Sequence, residues 1–198
     1  MMLLNSEILF KYGALQKTFE PGEFIFHEGD SAKYYYQIHH GKVKMFTTND
    51  DGKLFTQGVF VDGESFGEPP LLIQERYPAS AQAINRSTIY KMASSSFFQL
   101  LDDHPDLKHN LLLLMAARCY NKSITSRDLM NQKTDHRILS FLKEFKRKRG
   151  NPSVRILIPF TRQEIADFTG LRVETVIRTL RSMCDLGLVE IRERKLFY

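Results

Sequence analysis

The stretch "TRQEIADFTGLRVETVIRTLRSMCDLGLVEI", Thr161 to Ile191, leaves its chain few choices of fold. Thr161 and Glu164 have the spacing of a capping box, so a helix starts there. Ile165 and Phe168 give that helix an apolar side, and Ala166 is small enough for a second helix to cross closely. Gly170 supplies a left-handed turn. Val173, Val176, Ile177, Leu180, Met183 and Cys184 then recur at helical spacing as one buried stripe. Glu174, Arg178 and Arg181 share the opposite side, with Thr175 and Arg172 near its start. "GLVEIRERKLFY" follows as a β-hairpin with basic Arg192, Arg194 and Lys195. A plain helical hairpin would also bury the stripe. The joint spacing of box, Ala, Gly and hairpin instead predicts a winged helix-turn-helix over residues 133–198. "DHRILSFLKEFKRKRG" adds an amphipathic helix in front of it, ended by Gly150 and Pro152, with the charge run "KRKR" at 146–149.

The first half of the chain has a different period. Over residues 19–92, short apolar runs are cut by Gly22, Gly29, Gly41, Gly52 and Gly63. "NDDGK" is a hairpin turn, and "GKVKMF" alternates wet and dry positions. Many short strands at this spacing predict a sandwich or barrel. Tyr34, Tyr35, Tyr36 and Phe46 are expected to pack in or on it. "SSSFFQLLDDHP" reads as a short helix with a Ser cap. Residues 105–132 form one long helix opened by Pro105. Its seam, Leu107, Leu111, Leu114 and then Arg118, Asn121 and Thr125, is apolar first and polar later, and is assigned to a second subunit. Leu112, Leu113 and Met115 make the helix apolar on other sides too, enough to meet the barrel and a partner together.

Charge separates the two halves. Residues 1–103 carry 9 Lys and Arg against 13 Asp and Glu, and residues 104–198 carry 19 against 10. A basic half joined to an acidic one suggests that only the former meets a polyanion, here double-stranded DNA. With 42% hydrophobic residues, a sizeable core is available. The longest apolar run, "LLLLMAA", is too short to span a bilayer. "MMLLNSEILF" has neither a basic n-region nor a small-residue cleavage site, so no signal peptide and a cytoplasmic, membrane-free protein are expected. Cys119 and Cys184 are too few for an iron–sulfur cluster. None of the six histidines is paired at i,i+4, and the adjacent pair in "IHHG" points to opposite faces of a strand. Haem and a metal-dependent oxygenase site are therefore not expected, and the chain is read as a non-enzyme without cofactor.

With "PGEFIFHEGD", "YQIHHGKV", "GESFGE" and "TRQEIADFTGLRVETVIRTL" in place, nearly the whole chain resembles the Crp/Fnr family of bacterial transcription regulators. The resemblance implies an α+β architecture. Residues 1–104 form a cyclic-nucleotide-binding-like β-barrel (a double-stranded β-helix or jelly roll). Residues 105–132 form the dimerisation helix, and 133–198 the winged helix-turn-helix. It implies a homodimer on an inverted-repeat operator with TGA-like half-sites, in which Glu174 and Arg178 read bases. Thr161, Arg162, Gln163, Arg172, Thr175, Arg181, Arg192 and Lys195 complete the expected DNA-binding set. Arg172 stands where family members typically begin the recognition helix with Ser or Thr. RNA polymerase is a further partner that the resemblance implies.

"GEPPLLIQERYPASA" aligns with the phosphate-binding cassette of cAMP-responsive members. Gly67 and Glu68 match the residues that hold the ribose. The Arg-Ser that binds the cyclic phosphate falls at Pro78-Ala79, followed by Ser80. Pro78 has neither charge nor N–H, and Arg76 is two positions early. The loop's shape is kept and its anion chemistry lost, so cAMP is not expected as the effector. A different small-molecule effector, a non-standard cyclic-nucleotide pocket, a regulator that is always on, and a dimeric barrel protein without DNA binding stay open.

Overall fold

A computed structural model describes residues 4–49, 52, 54–130, 133–148 and 155–198. Its secondary structure runs α1 (Ser6–Lys11), β1 (Leu15–Phe19), β2 (Phe24–Phe26), β3 (Tyr34–His40), β4 (Lys42–Thr48), β5 (Leu54–Val61), β6 (Ser65–Phe66), α2 (Glu68–Leu72), β7 (Ser80–Ala83) and β8 (Ser87–Ala93). The helices α3 (Ser94–Asp103), α4 (Pro105–Met130) and α5 (Thr134–Lys148) follow, then β9 (Leu157–Ile158), α6 (Arg162–Thr169), α7 (Val173–Asp185), β10 (Glu190–Arg192) and β11 (Lys195–Phe197). By its internal contacts the chain divides into two units, one of residues 1–48 and 56–120, the other of 49–55 and 121–198.

The first unit is the jelly-roll-like barrel. One four-stranded sheet has the order β1-β8-β3-β6 and the other β2-β7-β4-β5. Both contribute to one core: Phe19, Tyr36, Ile38, Phe66 and Ile89 from the first meet Phe26, Val43, Met45, Ala81 and Ala83 from the second. Phe26 stacks on Tyr77 with ring centroids 3.6 Å apart. All five glycines expected at turns have positive φ. Asp50, Asp51 and Lys53 of the expected NDDGK turn lie outside the described residues. Tyr35 and Tyr36 are buried, as expected, whereas Tyr34 is partly exposed beneath Lys91, whose Nζ stands 3.7 Å from its ring centroid. The alternation along β4 holds at Val43 and Met45 but breaks at Phe46, which is also buried and lies against Phe24.

A second cluster joins α1, α3 and α4 to the outer side of β3 and β8. It holds Leu9, Tyr35, Tyr90, Met92, Phe97, Leu100 and Leu111. The Ser cap expected for α3 is corrected: the capping position is Ala93, with no side-chain cap bond, because extended β8 runs straight into the helix. The direction of the long helix also departs from expectation. Leu111 is buried in its own chain's core, and Leu107 and Leu114 pack against it. The side of α4 left uncovered carries Leu112, Leu113 and Tyr120 instead.

The second unit has a core of Ile138 and Leu142 from α5, Ile158 from β9, Ile165 and Ala166 from α6, Val176, Leu180 and Met183 from α7, and Val189 and Leu196 from the wing. The three-stranded sheet β10-β11-β9 closes one side. Arg149, Gly150 and Pro152, expected at the end of α5, lie outside the described residues.

Candidate nucleic-acid interface

The helix pair is set by its caps. Thr161 Oγ1 accepts from the Glu164 N–H at 3.1 Å, and Glu164 Oε2 accepts from the Thr161 N–H at 2.6 Å. This reciprocal pair satisfies two donors that the first turn of α6 leaves open. At the other end Gly170, at φ +64, donates to the Ala166 carbonyl and turns the chain toward α7. Arg137 of α5 donates to the Thr169 carbonyl, which sits just before that turn. Burial pushes the Arg137 guanidinium down from its ordinary value. Nothing in the local pattern marks Arg137, because its role depends on a contact 32 residues away.

Arg172 caps α7 in an extended conformation without a side-chain bond. Val176, Leu180 and Met183 are buried, whereas Glu174, Arg178 and Arg181 are exposed on one face. Thr175 is half-buried at the rim of that face. Ile177 stands at the edge of the buried stripe, where the sequence allows it to pack inward, the expected outcome, or to touch a thymine methyl; it is 37% exposed. Val176, Leu180 and Met183 take the core side of α7, and Ile177 lies about 100° around the helix from Val176, at the border of that side.

The wing turns at Glu193 and Arg194, both at positive φ, the pair of conformations that a two-residue hairpin requires. Arg192 is engaged by Glu190, which also accepts from Arg155 Nη1 at 3.0 Å. The Arg192 hydrogen bond, more than the Arg155 one, holds the Glu190 carboxyl below the usual range. Among the described residues, Arg178, Arg181, Arg194 and Lys195 form no ion pair. Gln163 donates to Asp167 at 2.8 Å, and burial pushes the Arg162 guanidinium down. A crevice of about 590 Å³ is lined by Ile177 and Arg181 of α7, Ile191, Arg194 and Lys195 of the wing, and Arg162 of α6. The expected DNA-binding residues thus all lie in α6, α7, their caps and the wing of one unit, and the charge of Arg192 is met there by Glu190.

The barrel's loop is arranged differently from a ready anion site. Gly67, at φ +78, opens α2, and an added Cβ would stand 3.1 Å from Tyr77 and 3.3 Å from Phe26. Glu68 is fully buried, and Arg118 of α4 donates to its Oε2 at 2.5 Å. Arg76 donates to the Gly29 carbonyl at 2.7 Å, and Ser80 Oγ accepts from the Glu28 N–H at 3.0 Å. Pro78 is exposed and Ala79 buried. The Arg118–Glu68 contact was not legible in the sequence, where Arg118 belonged to a partner-facing seam.

Comparison with known proteins agrees with this geometry. Residues 16–104 match the model of the cyclic nucleotide-binding domain, and residues 136–197 that of the Crp-like helix-turn-helix domain. The chain is 27% identical over 176 residues to the transcriptional activator protein anr of Pseudomonas aeruginosa, covering 87% of this chain and 72% of the relative. It is 27% identical over 176 residues to the cyclic AMP receptor protein of Thermus thermophilus, covering 89% and 80%. Among solved structures, FixK2 from Bradyrhizobium japonicum superposes with a TM-score of 0.77 at 23% identity, over 92% of this chain and 91% of that one. The regulator CLP of Xanthomonas campestris superposes with a TM-score of 0.80 at 19% identity, over 97% and 98%. These relatives are transcription regulators, not enzymes. A cyclic nucleotide-binding fold followed by a Crp-like helix-turn-helix, in a chain aligned to such regulators over most of its length, places this protein in the Crp/Fnr family of transcriptional regulators.

Proposed function

We propose that the protein binds an inverted-repeat duplex as a homodimer, with α7 in the major groove and the wing on the backbone. The observation that carries this reading is the split of α7: Val176, Leu180 and Met183 are buried while Glu174, Arg178 and Arg181 stand free on the other side. An arginine there matches guanine O6/N7 and a glutamate matches the cytosine amino group. Thr161, Arg162, Gln163, Arg172, Thr175 and Lys195 supply backbone contacts, and Arg192 contributes less because Glu190 holds it. The second subunit packs on the Leu112, Leu113 and Tyr120 side of α4, where apolar side chains are 64%, 54% and 68% exposed. In this reading residues 1–104 are the effector domain, 105–132 the dimerisation helix and 133–198 the DNA-binding domain of a cytoplasmic regulator that contacts RNA polymerase. Binding selection on random duplexes with the full-length protein tests it. An inverted repeat with half-sites about one helical turn apart is expected, and recovery of no motif refutes it.

The same reading makes cyclic nucleotides poor effectors. Glu68, Arg76 and Ser80 are each bonded within the chain, and the cassette position that needs a cation is Pro78. The barrel then serves as a pre-assembled scaffold for α4, and the regulator is active without cAMP.

A further inference from the structure

We infer that Arg137 is a positioning residue for DNA recognition: it fixes the end of α6 and, through the turn, the direction in which α7 leaves. The inference rests on α7 as the reading helix and names what holds that helix in its reading geometry. Arg137 belongs to α5, and its Nη2 donates to the Thr169 carbonyl. Thr169 is the last residue of α6 and is 3% exposed. Its carbonyl is one of those that a helix end leaves without an intrahelical donor. A cation there also meets the negative end of the helix dipole. Arg137 Nε is buried and has no hydrogen-bond partner among the described residues. An unpaired buried donor costs stability, and an apolar side chain of similar length would fill the same space without that cost. Packing alone therefore does not account for an arginine here.

Gly170 shows how close the two groups stand. It has φ +64, and a Cβ added to it would lie 2.8 Å from Arg137 Nη2, so the guanidinium is seated directly against the turn. Only Leu171 and Arg172 then separate Gly170 from Val173, the first residue of α7. A second polar tie runs from α5 to α7 itself: Thr179 Oγ1 donates to Thr134 Oγ1 at 3.4 Å. Thr134 precedes Arg137 by about one helical turn, so both ties leave one face of α5. The apolar core around Ile138, Ile165 and Val176 attracts without direction, whereas hydrogen bonds fix an angle. Glu174 and Arg178 need that definition, because base readout by paired hydrogen bonds tolerates little misplacement.

The test measures the affinity of the full-length protein for the duplex it selects from random sequences and for an unrelated duplex, at one salt concentration and below the melting temperature of each variant. Arg137→Met keeps the stem and removes the donors. It is expected to lose about tenfold in affinity for the selected duplex, the size of one hydrogen bond from a charged group, and to bind the unrelated duplex as the wild type does. Arg137→Lys, which restores a charged donor, is expected to recover part of the loss. Should Arg137→Met not fold, Arg137→Gln carries the same comparison. A merely structural role lowers both affinities together, by the fraction unfolded, and that result overturns the inference. Wild-type discrimination between the two duplexes in the folded neutral variant overturns it as well. A wild type that prefers no duplex refutes α7 as the reading helix, and the inference falls with it.

Discussion

Arg118 Nη1 donates to Glu68 Oε2 at 2.5 Å, while its Nη2 donates to the Ser65 carbonyl at 2.6 Å. The guanidinium also stands 5.4 Å from the Phe60 ring centroid. One side chain of α4 thus ties together the end of β5, strand β6 and the first residue of α2. The carboxylate that the family resemblance assigns to a ribose is already matched by the chain's own cation. Glu68 is fully buried, and its other oxygen has no partner among the described residues, so removing Arg118 strands a charge.

Arg118→Ala is expected to cost about 3–5 kcal/mol, the usual result of breaking a buried pair from one side. The double variant Glu68→Gln with Arg118→Met is expected to recover a large part of that loss, because no lone charge remains. Urea denaturation of the three proteins checks the order. Equal losses in single and double variants would show that a stranded Glu68 charge is not what destabilises Arg118→Ala.

Calorimetry with cAMP is expected to show no binding tighter than about millimolar, since the phosphate meets no cation at Pro78. A micromolar dissociation constant would mean that Arg118 or Arg76 leaves its internal partner to bind the nucleotide.

Leu112→Glu with Leu113→Glu is expected to give monomers by light scattering and to weaken DNA binding. Leu111→Ala is expected instead to cost about 2–5 kcal/mol of stability, because its side chain fills the barrel-side core. A fully dimeric double glutamate variant would return the partner to another face.

Affinity for duplex DNA is expected to fall about 10³-fold between about 50 and 200 mM salt if some six phosphates are neutralised. Lys195→Ala should weaken all sequences alike and lower the salt slope by about one unit. Arg178→Ala should cost about 1–3 kcal/mol on the selected site and relax one base pair. Uniform weakening by Arg178→Ala would make it a phosphate contact.

Much of this protein was legible because it is local. The capping box at Thr161 and Glu164, the left-handed Gly170 and the charged face of α7 depend on residues within a few positions of one another, and each stands in the structure as the spacing predicted. The same holds for the turns of the barrel, whose glycines carry the positive φ that the interrupted runs demanded. Three features needed the tertiary structure. The long helix is apolar on more than one side, so its pattern names no inward face, and only the contact with Tyr35, Phe97 and Leu100 turns Leu111 in and Leu112 out. Ile177 sits at the border of a stripe, where periodicity assigns either side and the packing of Val176, Leu180 and Met183 on the core decides. Glu68 and Arg118 are 50 residues apart, and a charge pair at that separation leaves no periodic trace. Hydrogen-bonded turns and caps are encoded within a turn of chain, whereas burial and charge pairing are set by whatever the fold brings alongside.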